Sequence, residues 1–255
     1  MRLNPVKKLV REGGVALGIG QNQLTTTEFP RMAAAAGFDW LFLDAEHGPF
    51  TTETLQEITK TCLQTPVSPI LRVADFQYDL VARALDGGAE GIIFPRVESP
   101  DVLRNAVSWA KFPPRGVRGF GLGAPQVGYQ NVAFGEIIRH MNDETLIFAQ
   151  IESVKGLEAR HELAAVEGLD SLFIGPADLS ISLGVGGQWD HPKLLGAIDE
   201  VVQACNDHGK MPAIHVRNAA FAKVAIEHGM KVVSCAVDLA LLWAGVQGVA
   251  KELRG

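Results

Sequence analysis

Cysteine is scarce. The 255 residues contain three, Cys62, Cys205 and Cys235. An odd number at wide spacing supports neither a disulfide framework nor a CxxC metal site, and it fits a reducing, cytoplasmic setting. Positive charge is also in deficit: 23 Lys and Arg face 29 Asp and Glu, for a formal net charge of −6. A nucleic-acid or anionic-membrane partner is therefore not expected, since both need a basic surface. No uncharged apolar run approaches the ~20 residues of a membrane helix. The opening MRLNPVKKLVREGG carries charges and no apolar core, which argues against a signal peptide. Low-complexity tracts and like-charge blocks are missing, so disorder and tail functions are not expected either. What is present is ordinary for a globular chain, 47% hydrophobic and 20% charged. It suffices for one domain over 1–255 with a sizeable core.

Short apolar runs rich in β-branched and aromatic residues recur near 15–20, 40–44, 69–73, 91–95, 145–151, 171–175, 212–216 and 231–235. Such runs suit parallel strands covered on both faces. Helical patterns lie between them, over 51–64, 75–88, 99–111, 191–209 and 218–229, with a last helix over about 238–254. The first of these starts on threonine caps, and the third on Ser99 followed by Pro100. Eight strands, each followed by a helix, predict a (β/α)8 TIM barrel; a doubly wound open sheet is the competitor and usually has fewer strands. The longest interval, between strands four and five, holds KFPPRGVRGFGLGAPQVGYQ. Part of it must be irregular loop, which at such length is uncommon without a function.

Barrel chemistry sits at the C-terminal ends of strands. The second strand ends in Asp44-Ala45-Glu46-His47. A histidine beside carboxylates suits a general base near neutral pH, although a histidine satisfied within a loop would read the same. Arg72 interrupts the apolar third strand. A buried charge needs an anionic partner, either a substrate oxyanion or a structural ion pair with Asp44 or Glu46. Gln150 and Glu152 share one side of the fifth strand, and the sixth ends in Gly175-Pro176-Ala177-Asp178. Glu152 and Asp178 could converge on a divalent cation, or serve as a loop acid and a helix cap. The amides of Ala177 and Asp178 open a helical turn and could take a carboxylate. His215 either lines the pocket or packs beneath it, and Lys155 solvates a helix start. Arg115 and Arg118 meet an anion or form salt bridges. The Gly119/Gly121/Gly123 fragments are followed by no helix pattern, so a nucleotide fingerprint is not expected.

LDAEHGP, ILRV, GAEGIIFPRVES, PPRGVRG, QIES and IGPADLS, in that order, resemble the HpcH/HpaI family from about residue 15 to about 240. That family contains metal-dependent (class II) pyruvate aldolases of the 4-hydroxy-2-oxoheptane-1,7-dioate type. The resemblance implies a barrel of the phosphoenolpyruvate/pyruvate type. It implies Glu152 and Asp178 as ligands for Mg²⁺, Mn²⁺ or Co²⁺, Arg72 as the cation facing the pyruvate enolate, and His47 as the acid/base oriented by Asp44. Glu46 and Gln150 support these groups from behind. The implied reaction is reversible aldol cleavage of a 4-hydroxy-2-oxoacid to pyruvate, or a close 2-oxoacid such as hydroxypyruvate, plus an aldehyde. Aldehyde selectivity is expected around Ile19, Phe173, His215 and Val237. A Schiff-base aldolase would need a lysine at a strand end, and Lys231 starts strand eight at the wrong end. A CoA-ester lyase of the citrate lyase type and a non-catalytic barrel are the other readings. The resemblance also implies a homo-hexamer, a trimer of dimers that exchange the last helix. Leu239, Leu241, Leu242, Trp243 and Val246 make that helix apolar enough to pack on a partner or on its own barrel.

Overall fold

The computed structural model describes residues 1–121 and 124–255, so Gly123 lies outside the described residues. Eight parallel strands close into a barrel in chain order. They are β1 (Ala16–Gln21), β2 (Trp40–Asp44), β3 (Ser68–Arg72), β4 (Gly91–Phe94), β5 (Leu146–Ile151), β6 (Ser171–Ile174), β7 (Met211–Val216) and β8 (Val232–Val237). Each overlaps its predicted window, and β8 pairs back with β1. The architecture is the (β/α)8 barrel that the strand-helix rhythm predicts.

The two-residue alternation along each strand sorts side chains into two cores. Inward-facing Trp40, Phe42, Ile70, Ile93, Phe148 and Phe173 fill the barrel together with Ala213 and Val232. Trp40 is fully buried and lies over Gly18, its ladder partner on β1, where an added Cβ would stand 2.3 Å from its ring. Outward-facing residues make the larger core under the helices. Ile19 belongs to that outer core, packed with residues such as Phe29 and Leu41. It therefore faces the helices and not the pocket, a correction to its expected place beside Phe173, His215 and Val237. Gly20, next in the chain, faces inward against Val237 and His215.

The helices are α1 (Pro5–Arg11), α2 (Glu28–Ala35), α3 (Thr52–Leu63), α4 (Tyr78–Asp86), α5 (Pro100–Ala110), α6 (Phe134–Glu144), α7 (Val154–Glu158), α8 (Arg160–Ala164), α9 (Pro176–Ser182), α10 (Pro192–Asp207), α11 (Ala219–Glu227) and α12 (Asp238–Arg254). Thr51 and Ser99 cap α3 and α5 with their side chains, as their sequences predict. Helix α1 was not foreseen. It is capped by Asn4 and sends Val6 into the inner core. Helix α6 fills the end of the long β4–β5 interval and packs Ile137 and Met141 on Phe112 and Val127. The same loop is tied down by Arg118 on Asp86 (2.8 Å) and Arg115 on Asp143 (2.6 Å). Those two arginines thus make the salt bridges that were one of their two expected roles. Lys155 pairs with Glu98 at 3.2 Å.

Helix α12 behaves differently from the others. Asp238 is buried and accepts from the amides of Asn22, Gln23, Leu24 and Leu239. From Leu239 to the end every residue is exposed, including Leu242, Trp243, Val246 and Val249. Only the first turn of the helix, through Asp238 and Ala240, touches its own barrel. None of the described helices is long and apolar enough to cross a membrane, and the three cysteines are free.

Candidate active site

The strand register brings the site's first pair together. Asp44 closes β2, Arg72 closes β3, and the two are partners in the parallel ladder. Arg72 is buried, and its Nε and Nη2 donate to the two oxygens of Asp44 at 2.9 and 2.7 Å. Its Nη1 lies 3.0 Å from Glu46 Oε2 and donates to Gln150 Oε1 at 3.4 Å. A bidentate fork of this kind fixes the guanidinium plane as well as its charge. Glu46 has a second cation: Arg96 Nη2 donates to Glu46 Oε1 at 2.6 Å.

Glu152 follows β5 and is buried. Gln150, two residues earlier on the same side, donates from Nε2 to Glu152 Oε2 at 2.6 Å. Room for both side chains comes from Gly175 at the end of β6. A Cβ there would stand 2.7 Å from both Gln150 Nε2 and Glu152 Oε2. Asp178 lies in the first turn of α9, whose cap residue Gly175 has no side chain to accept the leading amides. Burial, and then the nearby charge of Asp178, push the Glu152 carboxyl up to about 7.

His47 stands at the rim with an exposed imidazole, its Nε2 3.8 Å from Glu46 Oε2. Asp44 does not touch that ring. It accepts from the backbone amides of Glu46 and His47 at 3.1 and 3.3 Å. The carboxylate expected to orient the imidazole spends both oxygens on Arg72, and it shapes the turn that presents His47.

These groups open on a cavity of about 400 Å³. Asp44, His47, Arg72, Gln150, Phe173, Ala177, Asp178, His215 and Val237 line it, and Glu152 and Glu46 contact the lining residues Gln150 and Arg72. His215 Nδ1 meets Ser234 Oγ at 2.9 Å, and its ring lies 4.9 Å from that of Phe42. Burial, with Arg72 and Arg217 adding positive charge nearby, pushes its pKa down to about 4, so it is neutral near pH 7. The far end of the cavity has residues that sequence reasoning passed over: Asn22, Trp189, Arg217 and Phe221. Arg217 lies over the Trp189 ring at 5.7 Å and has no salt bridge among the described residues. Its place two residues after His215 was the available signal. Trp189 sits in a loop and had none.

Among the described residues no lysine lines this cavity. Lys111, held down to about 8 by burial, donates to the carbonyls of Asn142 and Thr145 at the opposite end of β5. A Schiff base has no amine here.

The donor set can be tested for a divalent cation by counting charge. Asp44 and Glu46 are answered by Arg72 and Arg96. Glu152 and Asp178 are left facing each other, with Arg96 Nε 3.9 Å from Glu152, beyond hydrogen-bond reach. No cluster of three or more metal-ligating side chains occurs among the described residues. Two carboxylates close enough that one of them holds its proton up to about pH 7 do fit a hard divalent ion that takes the proton's place and keeps water and substrate as further ligands.

The family described as HpcH/HpaI aldolase/citrate lyase matches residues 23–244. A 4-hydroxy-2-oxo-heptane-1,7-dioate aldolase from Salmonella typhimurium is 32% identical over 99% of this chain and 97% of its own length. A hydroxypyruvate/pyruvate aldolase from Pseudomonas aeruginosa is 31% identical over 99% and 94%. The crystal structure of an HpcH/HpaI aldolase from Desulfitobacterium hafniense superposes with a TM-score of 0.92 at 32% identity, covering 97% of this chain and 96% of that one. The chain belongs to the HpcH/HpaI aldolase/citrate lyase family.

Proposed function

We propose that this protein catalyses the reversible aldol cleavage of 4-hydroxy-2-oxoacids to pyruvate, or a close 2-oxoacid such as hydroxypyruvate, and an aldehyde, with a divalent cation. The observation that carries the reading is one cavity with two poles. Arg72 is a fixed cation on one side, and Glu152 and Asp178, close enough for the charge of one to raise the pKa of the other, stand on the other side. When bound by that pair, Mg²⁺, Mn²⁺ or Co²⁺ supplies Lewis acidity toward the 2-oxoacid.

The chain's own groups divide the remaining work. The free amides of Ala177 and Asp178 at the start of α9 donate to the substrate carboxylate. His47 at the rim takes the proton of the 4-hydroxyl, and the C3–C4 bond breaks to release the aldehyde. The electron pair left on the three-carbon fragment makes an enolate, whose oxygen faces the Arg72 guanidinium. A pre-oriented charge at the place where charge develops is often the largest single contribution to such a step. Neutral His215, with Phe173 and Val237, walls the aldehyde end. Beyond them Arg217 on Trp189 meets the tail of the aldehyde.

The exposed apolar α12 is best explained by a second copy of the chain. A helix that leaves its own barrel with Leu242, Trp243 and Val246 uncovered presents an apolar face that monomers rarely expose. We propose that it seats on a neighbouring barrel within a homo-oligomer, the hexamer of exchanged dimers that the resemblance implies.

The first test needs no aldehyde. Purified protein is incubated with pyruvate in D₂O, with added Mg²⁺ or Mn²⁺ in one sample and excess EDTA in another. Methyl exchange is then followed by proton NMR. Cation-dependent exchange is the expected result. Absence of exchange with either ion, together with no pyruvate binding, would turn the reading toward a CoA-ester substrate or a non-catalytic barrel.

A further inference from the structure

We propose that Arg96 is a positioning residue that draws the charge of Glu46 away from Arg72 and so leaves the Arg72 guanidinium free to face the developing enolate. The inference rests on the aldolase reading above. Two independent observations carry it. The first is the ion-pair chain Asp44–Arg72–Glu46–Arg96. Glu46 has a buried carboxylate, with its side chain 6% exposed, and Arg96 reaches it from solvent at 2.6 Å, closer than the 3.0 Å to Arg72. The hydrogen bond goes to Arg96, and Glu46 Oε2, on the Arg72 side, accepts none. Without Arg96, two buried carboxylates would share the single cation Arg72. An uncompensated buried charge is costly, so Glu46 would close on Arg72 and claim the charge that the enolate oxygen needs.

The second observation is the backbone. Arg96 sits at φ +46°, in the left-handed region, directly after Pro95. Only two other non-glycine residues among those described have positive φ, Tyr129 and Ala236. A side chain longer than hydrogen is strained there, and such strain persists where the surroundings over-determine it and collects at functional sites. Glycine would relieve the strain at this position, and arginine is kept in its place. The side chain itself is 69% exposed, so core packing does not explain it. The remaining role is electrostatic, directed first at Glu46 at 2.6 Å and more weakly at Glu152, 3.9 Å from Arg96 Nε.

Substitution at Arg96 is expected to change activity more than stability. Arg96→Gly removes the cation and releases the backbone strain. Its melting temperature is expected to change little, because the released strain offsets the charge left on buried Glu46, while its cation-dependent pyruvate exchange at saturating Mn²⁺ falls by about 10-fold or more. Arg96→Lys keeps a charge within reach of Glu46 and is expected to recover most of the rate. The decisive comparison is a double-mutant cycle with Glu46→Gln. Once Glu46 has no charge to divert, adding Arg96→Gly is expected to cost less than about 3-fold, since residues acting through one another are not additive. Arg96→Gly exchanging at the parental rate overturns the proposal. So does a loss of equal size with and without Glu46→Gln, which would show that Arg96 acts on something else. If the parent protein neither exchanges deuterium nor binds pyruvate, the aldolase reading falls; if the parent exchanges and the cycle shows no coupling, only this inference does.

Discussion

At the scale of single residues the site is a problem in sharing charge. Four carboxylates, Asp44, Glu46, Glu152 and Asp178, meet two arginines, and Arg72 touches two of the four. Because it holds Asp44 by two parallel hydrogen bonds, its replacement by lysine keeps the charge and loses the fork. Arg72→Lys is expected to lower turnover in aldol cleavage by roughly 10²–10³ if it acts as a lost oxyanion donor does. Pyruvate release followed by a coupled assay would check this, and a parental rate would remove Arg72 from its role. His47→Asn should cost roughly 10²–10⁴ in the same assay, because no other imidazole stands at the rim beside Glu46. Gly175→Ala tests the cradle. Its methyl would stand 2.7 Å from Gln150 Nε2 and Glu152 Oε2, so one of the two must move. Weaker Mn²⁺ binding by titration calorimetry is the expected result, with a stability loss of about 1–3 kcal/mol from overpacking. Mn²⁺ affinity equal to the parent's would show that Glu152 is not held for a cation.

At the scale of elements the strands were the legible part. VALGIG, WLFLD and TLIFAQI are short, apolar and β-branched or aromatic, and residues of that kind lie flat in a sheet with few other options. The candidate residues were legible for a related reason: a charge at the end of an apolar strand stands out. Less could be read where a residue's meaning depends on distant chain. Ile19 and Gly20 differ by one step, and only closure of β1 against β8 says which of them faces the pocket. Arg96 lies in the quoted motif GAEGIIFPRVES, yet nothing local tells that it turns back over Glu46, 50 positions away. The stance of α12 is the clearest case, because its apolar residues fit burial in one barrel as well as in another. Substituting Leu242 and Trp243 with glutamate addresses that stance. Both are exposed within the chain, so the barrel should still fold, and sedimentation velocity should show the assembly breaking toward monomers. An unchanged sedimentation coefficient would mean that α12 is not the contact.

At the scale of the whole molecule, net charge and site charge combine into a dependence on pH. The chain carries −6 overall, which favours cations near it in general, but the specific pull comes from Glu152. Its carboxyl is raised from an ordinary 4.5 to about 7 by burial and by Asp178. In the cation-free protein the folded state therefore binds a proton more tightly than the unfolded chain does. That contribution to stability is full below about 4.5 and disappears as pH rises to about 7, and it amounts to on the order of 3 kcal/mol. A bound cation replaces the proton, so binding must release it when the pH is below about 7. Two results are expected together. In EDTA the melting temperature falls between pH 5 and pH 7.5 by more than the same scan shows for Glu152→Gln, which has no proton to lose. With Mn²⁺, affinity climbs across that interval and levels off above it, and calorimetry in buffers of different ionisation enthalpy reads a released proton at pH 6 and almost none at pH 8. Parallel melting curves for the parent and Glu152→Gln, with no proton released at pH 6, would mean that Glu152 is already ionised in the fold. The charge surplus assigned to the pair would then have to lie elsewhere in the site.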